Sequence, residues 1–208
     1  MIELEQSIEN TLETSDLSEI NIDLAEVTLD SFLNDGVLKD LPIVSSIMGF
    51  VKMGIKTQEW LFLKKILKFF TQLDSTTKKE RLDFISKVEK NEEYNKKVGL
   101  ALLLIIDKLE DLEKPEIIGK LFAASIKGEI DYKMFLRLSY LVQKLFIPDL
   151  NYLRKINEGS EVDFEKQEEL YLSGFMLTLE SDGVNFDGRS DLGISPYTKI
   201  LLSIIDKK

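Results

Sequence analysis

The sequence predicts a mainly α-helical protein, a multi-helix bundle with a small C-terminal β-hairpin followed by a closing helix. Three observations carry that prediction. Residues 98–106, VGLALLLII, contain no charge and no hydrogen-bonding side chain. A bilayer span needs roughly 20 apolar residues, so this shorter run reads as a buried helix, apolar all round. Apolar residues recur at helical spacing along most of the chain, with capping residues at the breaks. After the linker Asn157-Glu158-Gly159-Ser160 the pattern changes to a β-like run and a turn.

Taken in order, the chain opens with an acidic N-terminal arm, residues 1–41. It holds eleven acids against one base, Lys39, while residues 42–208 are balanced at 26 against 26. The whole net charge of −10 therefore belongs to the arm. Leu17, Ile20, Leu24, Val27 and Phe32 form one helical stripe, and Asn34-Asp35-Gly36 ends it as a turn. Charge asymmetry of this kind marks a solvated face or a partner-facing segment.

The helical bundle core follows over residues 42–157. Leu41-Pro42 opens it, with proline at a helix start. Residues 43–73 are rich in aromatic and aliphatic side chains, contain Trp60, and carry a net charge of +4. Thr77-Lys78-Lys79-Glu80 is a capping-box pattern, leading a helix with Leu82, Ile85 and Val88 on its apolar face. Asn91 is the expected cap of the central helix, residues 92–112. Pro115 starts the next helix, and Gly128 stops it. Asp131 caps a helix whose stripe is Phe135, Leu138, Leu141, Val142 and Leu145, ended by Pro148.

Residues 158–208 read as a helix–hairpin–helix subdomain. Residues 164–172 are helical. Residues 175–180 have β character, Ser181-Asp182-Gly183 is a turn, and residues 184–186 are the expected pairing strand. Ser195-Pro196 caps and opens the closing helix, with Ile200, Leu201, Ile204 and Ile205 on its apolar face.

Composition restricts the chemistry. The chain has no Cys and no His. Disulfide and thiolate chemistry are excluded, which fits a reducing compartment. The commonest general base and zinc ligand are missing too. The first residues, MIELEQSIENTLE, have no apolar signal-peptide core. The expected location is the cytoplasm.

No motif raises an enzyme. Ser75-Thr76-Thr77-Lys78 fits S-x-x-K, but its companion elements are absent and a helix cap explains the hydroxyls. There is no phosphate loop and no dinucleotide fingerprint. The loop around Asn185, Asp187 and Gly188 resembles a calcium loop, yet Gly183 and Ile194 fall where carboxylates are required. The acids at 107, 110, 111 and 113 sit at helical spacing, but a di-metal bundle needs histidine beside them. The expectation is therefore a non-enzyme with no catalytic residue, no metal and no cofactor.

Two stretches resemble known bacterial families. Residues 117–150, IIGKLFAASIKGEIDYKMFLRLSYLVQKLFIPDL, resemble helical modules of the TerB-like type. Residues 170–176 and 194–205 resemble the end of the abortive-infection alpha family, where a helical region is followed by a hairpin and a closing amphipathic helix. The resemblance implies an intracellular, mostly helical bacterial protein tied to phage defence. It transfers no metal-binding acid and no catalytic residue.

The expected function is thus a cytosolic interaction or regulatory protein of a defence or conflict system, acting on a protein partner. Lys52, Lys56, Trp60, Lys64, Lys65 and Lys68 are the candidate partner-binding residues. The alternatives are a membrane-surface effector using the basic segment 43–70 and an acidic nucleic-acid mimic. Binding of nucleic acid itself is disfavoured by the lack of a basic face beyond that segment. Snorkelling lysines on an internal helix are the plainer explanation of the basic segment. The arm is expected to fold against residues 43–73, with Leu24, Val27 and Phe32 in contact, as a permanently docked helix or as a displaceable cover.

Overall fold

The computed structural model describes residues 2–17, 20, 36–51, 57–91, 94, 97–179 and 191–207. These residues are mainly helical, with one small antiparallel hairpin near the C-terminus and a helix after it. The chain forms two compact units, Met1–Phe135 and Leu136–Lys208.

In the first unit α1 (Ile2–Thr14) is followed by the single-turn α2 (Gly36–Lys39), α3 (Pro42–Val51), α4 (Thr57–Thr71), α5 (Lys78–Glu89), α6 (Val98–Asp107) and α7 (Lys114–Ile126). The opening turn of α8 (Tyr132–Lys144) completes the unit. α4 and α7 pack along each other. They approach closely because residue 119 is glycine: a Cβ there would lie 2.5 Å from the carbonyl oxygen of Phe69. The rings of Phe69, Phe70, Phe122 and Phe135 are fully buried around this contact. Each such side chain contributes about 1.5–3 kcal/mol by leaving water.

α1 packs against α3, α5 and α6. Ile8 and Leu12, one turn apart, face inward and are fully buried. Its hydroxyls are used twice over. The Thr11 hydroxyl donates to the Ser7 carbonyl and accepts from the Ile43 amide, while Ser7 Oγ pairs with Ser46 Oγ. The carboxylate of Glu9 accepts from the Gly99 amide at 3.1 Å, and a Cβ at Gly99 would come within 2.6 Å of the Glu5 carbonyl. The described start of the acidic arm is therefore a docked helix. Leu24, Val27 and Phe32 lie outside the described residues.

The central helix differs from the expected 92–112. It runs Val98–Asp107, with Lys97 rather than Asn91 at its N-cap and no side-chain bond there. It ends early because Asp111 turns back to accept the amides of Glu113 and Lys114, opening α7 instead. Nor is it buried all round: Leu102 and Ile106 are inaccessible, but Leu104 is 41% exposed.

Other breaks follow the sequence chemistry. Thr77 and Glu80 form the reciprocal capping box of α5. Asp131 accepts from the Met134 amide and caps α8. Gly128 takes φ +75° after α7, with Glu129 and Gly128 amides bonded to the Ala124 and Ser125 carbonyls. That conformation favours glycine because it lacks a Cβ.

The second unit holds the rest of α8, a single 3-10 turn at Ile147–Asp149, α9 (Leu150–Asn157), α10 (Phe164–Leu172), β1 (Met176–Thr178), β2 (Leu192–Ile194) and α11 (Pro196–Ile205). Leu138, Val142, Leu153, Leu170, Phe175 and Leu201 form its core. The hairpin pairs Met176 with Ile194, Leu177 with Gly193 and Thr178 with Leu192. The partner strand is thus 192–194; the expected strand 184–186 lies outside the described residues. This register turns Met176 and Ile194, both buried, to the same face. The Ser195 hydroxyl caps α11, and Thr198 donates to the Phe175 carbonyl, tying the helix start to the hairpin.

Candidate functional site

Of the candidate partner-binding residues of the basic segment, four lie among the described residues. Lys52 and Lys56 lie outside the described residues. α4 carries the other four. Lys64 Nζ stands over the Trp60 ring, 5.2 Å from its centroid. Lys65 reaches the carbonyl of Leu109, and Lys68 forms an ion pair with Glu116 of α7. Lys65 and Lys68 are therefore engaged within the first unit. No described helix is long and apolar enough to cross a membrane.

A groove of about 490 Å³ lies elsewhere in the first unit, between α5, the end of α7 and the start of α8. Helical spacing delivers its first wall. Glu80, Asp83, Phe84 and Lys87 stand at i, i+3, i+4 and i+7 on α5, which is one face. The turn at Gly128 then returns the chain so that Asp131 and Tyr132 form the opposite wall. Tyr94 also lines it.

The aromatic side chains in this groove are fixed by each other. Tyr132 meets Tyr94 edge to face at 5.0 Å and Phe84 at 5.9 Å, and it stacks on Phe135. Phe84 also abuts Phe122 in the core. Such pairs are worth about 0.5–1.5 kcal/mol beyond their buried area. Burial pushes the Tyr132 phenol up to about 12, helped by Tyr94 and the negative Glu89. It is a neutral hydroxyl at any physiological pH.

The polar lining is acidic. Glu80, Asp83 and Asp131 face one base, Lys87. Glu80 is held below the usual carboxylate range by the Thr77 amide and hydroxyl, which it accepts. Asp131 spends one oxygen on the α8 cap. Ser125, also in the lining, is 3% exposed, and its hydroxyl has no hydrogen-bond partner. An unpaired buried hydroxyl costs about 1–3 kcal/mol, so natural cores seldom leave one without a reason.

This groove can hold an apolar or aromatic group and pair it with positive charge. Nothing in it resembles a nucleophile with an adjacent base. Among the described residues no group of three or more Asp, Glu, His or Cys converges as a metal site. Sequence reasoning missed the groove because its residues come from three separate elements; the pattern at 80, 83, 84 and 87 was the only local signal. No protein-family model, no curated protein and no solved structure matches this chain.

Proposed function

We propose that this chain is a non-catalytic interaction protein that recognises a protein partner through the groove between α5, α7 and α8. The observation that supports this reading is the groove's composition: fixed aromatic rings, an acidic lining and a buried hydroxyl with no internal partner. Concave, largely preformed sites with a few convergent polar groups are the usual places for binding. The α4 lysine face supports the reading less, because Lys65 and Lys68 already serve internal packing. The resemblance to the abortive-infection alpha and TerB-like families is what links the reading to a bacterial, cytosolic defence system.

Site-specific photo-crosslinking in the native host tests it. A benzophenone amino acid at Lys87 is expected to capture one protein reproducibly, with capture abolished by Phe84→Ala. Capture from Lys64 but not from Lys87 would return the site to the α4 face, and absence of capture from both would overturn the reading.

A further inference from the structure

We infer that the group this groove takes is an organic cation, a guanidinium or substituted ammonium, presented as an arginine or lysine side chain of the partner. The inference rests on the binding reading above and adds the chemistry of the occupant.

Three independent features converge. The first is charge: three carboxylates and one ammonium line the groove. Asp83 forms no hydrogen bond or ion pair with any described residue, so its carboxylate remains available to a ligand. The second is the ring cluster of Phe84, Tyr94 and Tyr132. Aromatic rings attract cations through their quadrupole, and a cation with an apolar body also gains from leaving water against them. The third is Ser125, a buried residue of the lining whose hydroxyl has no hydrogen-bond partner. An anion would meet the acidic lining unfavourably. A neutral apolar group would gain nothing from the acidic lining.

The groove's size agrees with this assignment. Ligand sites of about 300–1,000 Å³ accept drug-sized groups, and about 490 Å³ leaves room for a whole arginine side chain. Lys87 sits on the same wall as Asp83, one helical turn away. It would discriminate against a cation lacking a carboxylate contact at Asp83.

The full chain, labelled with ¹⁵N, is titrated with three probes: Nα-acetyl-arginine methylamide, choline, and 3,3-dimethylbutan-1-ol, the neutral isostere of choline. The two cations are expected to shift the amide resonances of Gly128, Asp131 and Tyr132 saturably, and the neutral isostere is not. Asp83→Asn is expected to weaken the cations about two- to fivefold, and Tyr94→Leu by a similar factor. Tighter binding of the arginine amide assigns the cation to a protein side chain. Tighter binding of choline assigns it to a free ammonium compound and overturns the side-chain half of the inference. Equal shifts from the neutral isostere, or unchanged affinity in Asp83→Asn, overturn the cation altogether. Those failures leave the crosslink from Lys87 intact, whereas loss of that crosslink defeats the binding reading itself.

Discussion

The Arg81 guanidinium donates through Nε to the backbone carbonyl of Leu12 at 2.6 Å, across 69 residues of chain. Its other nitrogens donate to the carbonyls of Ser15 and Thr76 and to the Thr76 hydroxyl. Arg81 is 1% exposed. α1 has no basic residue in its last turn, and Arg81 supplies from α5 the positive charge that a helix C-terminus favours. Burial lowers its pKa, and the negative Asp16 acts in the opposite direction.

Replacing Arg81 with Met is therefore expected to destabilise the protein by about 3 kcal/mol, because buried carbonyls lose their donors. Arg81→Lys cannot reproduce the planar fork and is expected to recover less than half. Urea denaturation midpoints check both.

Glu9 sets a pH dependence. Burial raises its pKa above the ordinary 4.5, with Glu89 and Glu5 adding and the Gly99 amide and Lys97 opposing. A carboxyl whose folded pKa exceeds its unfolded value favours folding when protonated. Its contribution is fully present below the unfolded value and is lost as pH rises through the folded one. Glu9→Gln keeps an acceptor for the Gly99 amide and removes the charge. It is expected to raise the melting temperature at pH 7 and to leave it unchanged near pH 4. A melting temperature lower than wild type at pH 7 contradicts this.

Gly119→Ala places a methyl 2.5 Å from the Phe69 carbonyl oxygen, a backbone atom that cannot swing away. Alanine is the better helix former by about 1 kcal/mol, but separating α4 from α7 outweighs that gain. The expected net loss is about 2 kcal/mol, read by thermal unfolding.

Ser125→Ala removes a hydroxyl that no internal group satisfies. It is expected to be neutral or stabilising by up to about 1 kcal/mol. A loss of more than about 1 kcal/mol of stability would show that the hydroxyl has a structural partner after all.

Much of the fold was legible because its signals are local. Thr77 with Glu80, Asp131 with Met134, and Ser195 with Thr198 each act over three residues. Gly128 stops a helix by its own backbone freedom. What could not be read depends on distance. Arg81 looks like one charge among many on α5, and its acceptors are carbonyls, which have no signature in sequence. Lys65 is hidden in the same way by its bond to the Leu109 carbonyl. The early end of α6 turned on Asp111 folding back, and Asp111 could equally have continued a solvated helix face. The groove needed Tyr94 and Tyr132 to meet with α6 and α7 lying between them in sequence, a pairing that local spacing does not measure.

The anchoring of α1 also sets an order for synthesis. Its partners, Ile43, Arg81 and Gly99, are all made after it. At roughly 5–20 residues per second the ribosome takes about 4–17 s to go from Thr14 to Gly99. A 13-residue helix is marginal by itself in water. Until the last of these partners arrives, the nascent α1 lacks part of the contacts that hold it in the folded chain. A helix made early is thus locked only when three later segments reach it.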